Sequence, residues 1–179
     1  MHFKLKHGVK SYEVIHTLLN HVFPQRYDLV MLDLTFGVGR FYRLVRNKIK
    51  KLIGVDIIKH NWEIKPDLFI QEDCIRLVHD ILSGRFTIEK PDVIVVDPPW
   101  SIEKRGVTPK YTGTSNMPYH MNTSSARIIH AAIKLASHYK SHLLYRYKEP
   151  LSCNHVVRVD VETKIMHHEG FVYYGVCVF

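Results

Sequence analysis

Four short apolar runs, each closed by a carboxylate, constrain this chain more than any other feature. Leu29 to Leu34 is apolar except for Asp33, and Leu52 to Ile57 carries Asp56 within Gly54-Val55-Asp56. Leu68 to Ile70 leads into Gln71-Glu72-Asp73, and Val93 to Val96 is followed at once by Asp97. Runs without polar alternation belong to strands buried on both faces, as in parallel sheets. Helical spacing fills the intervals. Ser11 reads as the N-cap of a helix carrying Ile15, Leu18, Leu19 and Val22, with Pro24 just past its end. Phe41, Leu44 and Val45 suggest a second helix over 40–50; Ile75, Val78, Ile81 and Leu82 a third, closed by Gly84; Ile129, Ala132, Ile133 and Ala136 a fourth, after the cap-rich stretch 122–125. His142 to Tyr147 predicts a fifth central strand, and Val156 to Ile165 with Phe171 to Phe179 a terminal hairpin around His168-Glu169-Gly170. Strands alternating with helices imply an α/β fold: a mostly parallel, doubly wound sheet, here with an antiparallel C-terminal end. Ligands of such sheets bind outside the carboxyl ends of the strands, where this chain keeps its acids.

The 179 residues suit one domain, 1–179, with a basic, helical N-terminal segment over 1–27 and a long Gly-, Pro-, Thr-, Ser- and Tyr-containing loop over 101–121 on the substrate side. No apolar stretch is long enough to span a bilayer, and Met1-His2-Phe3-Lys4-Leu5-Lys6 leads into no secretory leader, so a cytoplasmic protein with no membrane partner is expected. Three scattered cysteines, Cys74, Cys153 and Cys177, without a CxxC pair, read as reduced thiols; no residue is assigned to a metal. The 25 Lys and Arg exceed the 17 Asp and Glu, giving a formal charge of +8 that favours polyanionic partners.

Between the first apolar run and the expected second helix stands Asp33-Leu34-Thr35-Phe36-Gly37-Val38-Gly39. The paired glycines allow a tight turn that a ligand can approach closely, but G-x-G-x-x-G is not met, which disfavours a pyrophosphate cradle. Asp56, at the end of the second run, can accept both hydroxyls of a ribose. Asp73 can accept an adenine amine or cap the helix that follows. Asp33, at a buried strand end, calls for a partner or a cationic ligand. Acids on successive strand ends around a glycine turn fit a nucleoside that carries positive charge and no phosphate, the description of S-adenosylmethionine.

The fourth run ends in Asp97-Pro98-Pro99-Trp100. Pro99 holds Pro98 extended, and neither proline donates a backbone hydrogen. This is a rigid acceptor-only corner flanked by a carboxylate and an indole. Asp97 and the Pro98 carbonyl can accept the two N–H bonds of a planar amine while Trp100 stacks on its ring.

Taken together, Phe36-Gly37-Val38-Gly39 and Asp97-Pro98-Pro99-Trp100 make residues 29–150 resemble the S-adenosylmethionine-dependent amino-methyltransferases of nucleic-acid bases, whose turn is written F-x-G-x-G and whose fourth strand ends in (D/N/S)-P-P-(Y/F/W). The order of the motifs and the final Trp are similar to adenine N6 enzymes, and the short chain to the small methylases of phages and mobile elements. The resemblance implies a Rossmann-like class I methyltransferase fold and S-adenosylmethionine as cofactor, bound by Asp33, Thr35, Phe36, Gly37, Gly39, Asp56 and Asp73. It implies catalysis by Asp97, Pro98, Pro99 and Trp100 on an exocyclic amine, with DNA favoured over RNA. Direct methyl transfer requires no cysteine nucleophile. Lys4, Lys6, Lys10, Lys104, Arg105 and Lys110 are the candidates for phosphate contacts and Tyr111 and Tyr119 for stacking or for packing within the loop, whereas Arg40, Arg43, Arg46 and Lys50 read as a solvated helix face. The 179 residues are expected to leave no room for a separate target-recognition domain. Any selectivity is then expected from the loop over 101–121, the N-terminal segment, a second subunit in a homodimer or a recognition partner, with little selectivity as the alternative. RNA bases, protein glutamine amides and an inactive cofactor-binding subunit remain as alternatives.

Overall fold

The computed structural model describes residues 1–98, 125–165 and 168–179. Eight strands form one sheet: β1 (His2–Leu5), β2 (Leu29–Asp33), β3 (Ile49–Asp56), β4 (Leu68–Gln71), β5 (Val93–Val96), β6 (His142–Tyr147), β7 (Asn154–Ile165) and β8 (His168–Val178). Their order across the sheet is β1-β7-β8-β6-β5-β2-β3-β4. Only β8 runs against its neighbours; the other pairings are parallel. The helices are α1 (Ser11–Val22), α2 (Cys74–Leu82) and α3 (Ser125–Tyr139).

The unbroken apolar runs become the central strands because both faces are covered. Leu29, Met31, Val93, Val95 and Leu144 pack on the side of α1, together with Val14, Ile15, Leu18 and Leu19. Leu32, Ile53, Val55, Ile94, Val96 and Leu143 pack on the other side, against Leu77, Val78 and Ile81 of α2 and Ile128, Ala132 and Leu135 of α3. Successive residues of a strand face opposite ways, so a continuous apolar run feeds both cores.

Several expectations are corrected. The stretch 40–50 is not an α-helix but two 3₁₀ turns, Arg40–Tyr42 and Arg46–Lys48, before β3 begins at Ile49. Tyr42, Val45, Lys48 and Ile49 are the buried residues there, while Leu44 is exposed. Tertiary bonds hold the segment: the Tyr42 hydroxyl donates to Asp33, and the buried Lys48 Nζ donates to the Phe23 carbonyl. Ser11 is the first residue of α1 and not its cap, which is Lys10. The Ser11 hydroxyl meets the Tyr174 hydroxyl at 3.0 Å instead. The N-terminal segment also contributes a strand, β1, paired with β7 at the sheet edge. Finally, Cys153 and Cys177 are joined in a disulfide across the β7–β8 hairpin, with Cys74 buried and outside that bond, in place of three reduced thiols.

Candidate active site

After β4 at one side of the sheet the chain crosses back to β5, which lies on the other side of β2 from β3, so the strand order reverses between β2 and β5. Doubly wound sheets open their ligand crevice at such a point. Asp33 ends β2 and Asp97 directly follows β5.

A row of side chains crosses this point. The Asp97 backbone N–H donates to Thr35 Oγ1 at 2.7 Å, and Arg146 Nη1 donates to Asp97 Oδ2 at 2.9 Å. Arg146 is paired in register with Tyr174 on β8, and its guanidinium lies 5.8 Å from the Tyr174 ring centre. Burial works to lower the Arg146 pKa, but the charge of Asp97 and the Tyr174 hydroxyl outweigh it, so the value is raised and the cation is secure. Sequence reasoning gives Tyr174 no role, and Arg146 only a place in the Arg146-Tyr147-Lys148 segment that ends the fifth central strand. The available signal was an arginine inside an otherwise apolar central strand, where an unpaired charge is not tolerated.

Asp33 is buried, and its needs are met inside the protein. Its Oδ1 accepts from the Thr35 N–H at 2.9 Å and its Oδ2 from the Tyr42 hydroxyl at 2.7 Å. A cationic ligand is therefore not required to explain its burial. Desolvation, reinforced by the nearby charges of Asp97 and Asp56, pushes its pKa up to about 7, with the Thr35 and Tyr42 bonds opposing. Asp33 thus acts on the turn: through Thr35 it ties the end of β2 to Asp97 just after β5.

The glycine turn is held from both sides. Asp56 Oδ2 accepts from the Gly37 N–H at 3.0 Å and Oδ1 from the Ile58 N–H at 3.1 Å. Gly37 and Gly39 have φ of 56° and 76°, the left-handed region open to glycine. A β-carbon on Gly39 would lie 2.3 Å from the Ile64 carbonyl oxygen, because the segment after β3 crosses the turn and donates the Glu63 N–H to the Val38 carbonyl. Phe36 is buried, and its ring fills the space over Gly54 that a side chain would occupy. Phe36 directly adjoins Gly37, so the turn departs from F-x-G-x-G by one residue; Thr35 stands where that pattern has its Phe.

Asp73 caps α2, its Oδ1 accepting from the Ile75 and Arg76 N–H groups at 2.8 and 3.1 Å. The arginines assigned to a solvated face are tied to acids of the segment crossing the turn, Arg40 and Arg43 to Glu63 and Arg46 to Asp67. Lys4 and Lys6 are exposed on and just past β1, four strands from β5 and so roughly 19 Å across the sheet from the crevice. Pro98 is buried beside Asp97. Pro99, Trp100, Lys104, Arg105, Lys110, Tyr111 and Tyr119 lie outside the described residues.

This architecture is the Rossmann-like fold of class I methyltransferases. Two solved structures with that fold are similar to the chain: the N-methyltransferase NodS from Bradyrhizobium japonicum WM9, at 13% identity and TM-score 0.54 over 92% of this chain and 94% of that one, and HI0767 from Haemophilus influenzae, described as a candidate methylase, at 14% identity and TM-score 0.52 over 92% and 87%. No family profile and no curated protein sequence matches the chain. Among the described residues no helix is long and apolar enough to cross a membrane.

Proposed function

We propose that the protein is an S-adenosylmethionine-dependent methyltransferase acting on an exocyclic amine of a nucleic-acid base, adenine N6 in DNA above all. The observation that carries this reading is Asp97: a carboxylate at the strand-order reversal, gripped by Arg146 and Thr35, and first in the sequence Asp-Pro-Pro-Trp. Likeness to proteins described as methylases supports the choice of transferred group.

The residues present fit the cofactor by their chemistry. The turn offers carboxylates where a phosphate site would offer N–H groups, and its Gly37 N–H is already bonded to Asp56. An anionic pyrophosphate is disfavoured there, and a cationic nucleoside is favoured. Asp56 would hold the ribose, the Asp73 carboxylate the adenine amine, and the turn around Gly37 the amino-acid portion. The bound cofactor supplies an electrophilic methyl group on sulfur.

The chain's own residues prepare the acceptor. The lone pair of an adenine amine is delocalised into its ring. Asp97 and the Pro98 carbonyl accept its two N–H bonds, drawing the nitrogen toward tetrahedral geometry and freeing that pair. The Arg146 guanidinium favours the charged carboxylate and so the acceptor form of Asp97. Thr35 and Arg146 fix where that carboxylate sits, the kind of positioning that supplies much of the rate in bimolecular transfer. A base in a duplex has to be extruded first, at a cost of a few kcal/mol that stacking on Trp100 would partly offset.

The test is transfer of labelled methyl groups from the cofactor to DNA, RNA and protein in parallel, with Asp97→Ala as control. Label in DNA adenine that disappears in the control supports the reading; label confined to protein overturns it.

A further inference from the structure

On the far side of β6 from β5, the strands β7 and β8 bring together three soft-metal ligands that the proposed reaction does not use. Cys153 lies at the entry to β7 and His155 two residues on, so an extended chain gives them the same side. The antiparallel register sets His155 opposite Cys177 of β8, and a bulge between His155 and Val157 bends β7 at that point. One ligand atom from each of Cys153, His155 and Cys177 lies within 4.8 Å of the other two. His155 Nε2 is 3.5 Å from Cys153 Sγ. That is about the separation of a thiolate and an imidazole nitrogen bound at ~2.3 and ~2.0 Å to one tetrahedral ion. Cys177 is buried, whereas Cys153 and His155 are half-buried, so the group is reachable from one side.

We propose that Cys153, His155 and Cys177 form a redox-gated site for a soft divalent cation, zinc foremost, closed when the thiols are joined and able to bind when they are reduced. Two thiolates neutralise the ion's two charges, which suits a partly buried position. The Cα atoms of the cysteines are 5.9 Å apart, a span that serves both a disulfide and two thiolates on one ion. The fourth coordination position falls to solvent; binding of the ion replaces the 2.7 Å hydrogen bond between the Tyr145 hydroxyl and His155 Nε2, freeing that hydroxyl to meet a water on the ion.

The two states exchange in balanced steps. A dithiol reductant gives two electrons and two protons to the Cys153–Cys177 bond and itself becomes a disulfide, leaving two protein thiols. Binding of the cation then releases both thiol protons to solvent as each sulfur donates an electron pair. Oxidation is blocked while those pairs are committed to the metal.

The experiment titrates Co²⁺ into the full chain, oxidised and after reduction by a phosphine that is then removed. One equivalent of Co²⁺ with a thiolate-to-metal charge-transfer band is expected for the reduced chain and none for the oxidised chain. Zn²⁺ should displace the cobalt. His155→Ala keeps both thiols and is expected to weaken binding at least tenfold. Cys74→Ser, which leaves the site intact, is expected to bind as the wild type does. Because variants of the paired cysteines can impair folding, the rate at which air re-forms the Cys153–Cys177 bond provides a second measurement: one equivalent of Zn²⁺ should slow it at least tenfold in the wild type. A reduced chain with no charge-transfer band, unchanged binding in His155→Ala, or re-oxidation indifferent to Zn²⁺ would each overturn the proposal.

Discussion

Arg146 donates to Asp97 across the gap between β6 and β5, and the two side chains occupy one row of the sheet that continues to Thr35 on one side and Tyr174 on the other. Asp97 is therefore fixed by the body of the sheet as well as by its stiff proline neighbour. The pair is partly exposed, with 28% and 20% of the side-chain surfaces of Arg146 and Asp97 accessible, so its value is geometric more than energetic.

Arg146→Lys keeps the charge but loses the planar fork that reaches Asp97 and Tyr174 together. We expect kcat for methyl transfer to fall roughly 100-fold, the scale of a misplacement of about 1 Å, while cofactor affinity stays within about threefold. Steady-state kinetics alongside calorimetric cofactor binding read the two quantities separately. A parallel loss of both would assign Arg146 to the cofactor site or to folding.

Much of this arrangement is legible in the sequence, and what is not has identifiable causes. Leu29–Asp33 and Val93–Val96 read as strands because burial on both faces leaves an uninterrupted apolar run. The acids that close those runs mark the crevice for the same reason, since a carboxylate there needs a specific partner. The segment 40–50 misleads because Phe41, Leu44 and Val45 have helical spacing by chance, while Tyr42 is pinned by its hydroxyl to Asp33. β1 is four residues long, mostly exposed, and exists through its pairing with β7. The Arg146–Asp97 pair and the Cys153–Cys177 bond depend on register between distant strands, which composition and local spacing do not encode.

Asp33 makes stability depend on pH in an unusual direction. Its folded pKa is pushed up to about 7 from an ordinary value of 3.8, chiefly by desolvation. The folded state therefore binds this proton more tightly than the unfolded state, and the cost of ionising the buried group appears as pH rises from about 4 and is complete once pH has passed about 7. The upper bound on that cost is roughly 4 kcal/mol, and relaxation around the site will reduce it. Asp33→Asn, which does not ionise, should gain at least about 1 kcal/mol on the wild type between pH 5 and pH 8 in urea unfolding. Parallel stability curves for the two proteins would contradict the assignment.

Gly39 and Gly84 separate backbone strain from crowding. Both have positive φ, 76° and 75°, but an added β-carbon meets the Ile64 carbonyl at Gly39 and nothing within 4 Å at Gly84. Gly84→Ala should cost about 1 kcal/mol, the strain alone. Gly39→Ala should cost at least about 2 kcal/mol and weaken cofactor binding, because the turn and the segment crossing it must move apart. Urea midpoints with matched slopes give the comparison, and equal costs would show that the Ile64 contact yields freely.

If six basic residues contact phosphates, DNA affinity should fall with salt with a log–log slope of roughly −5. Lys4 and Lys6 lie at the same end of the sheet as the crevice, because β1 runs parallel to β7 and so to β6 and β5. Replacing both with Ala should reduce the magnitude of the slope by about 2 and leave kcat at saturating DNA unchanged. Fluorescence anisotropy at several salt concentrations measures it. An unaltered slope would remove the N-terminal segment from the nucleic-acid surface.

Asp73 has two separable jobs under the proposed function: its Oδ1 caps α2, and its carboxylate is offered to the adenine amine of the cofactor. Asn is nearly as good a cap as Asp, whereas Ala is a poor one. Asp73→Ala should lose about 1 kcal/mol of stability and also cofactor affinity. Asp73→Asn should keep the stability, yet bind the cofactor several-fold more weakly because a neutral amide accepts the amine less strongly than a carboxylate does. Thermal unfolding without cofactor and calorimetric titration with it distinguish the two contributions. If Asp73→Asn binds as tightly as the wild type, Asp73 is a helix cap alone, and the adenine amine must be met by another group at that strand end.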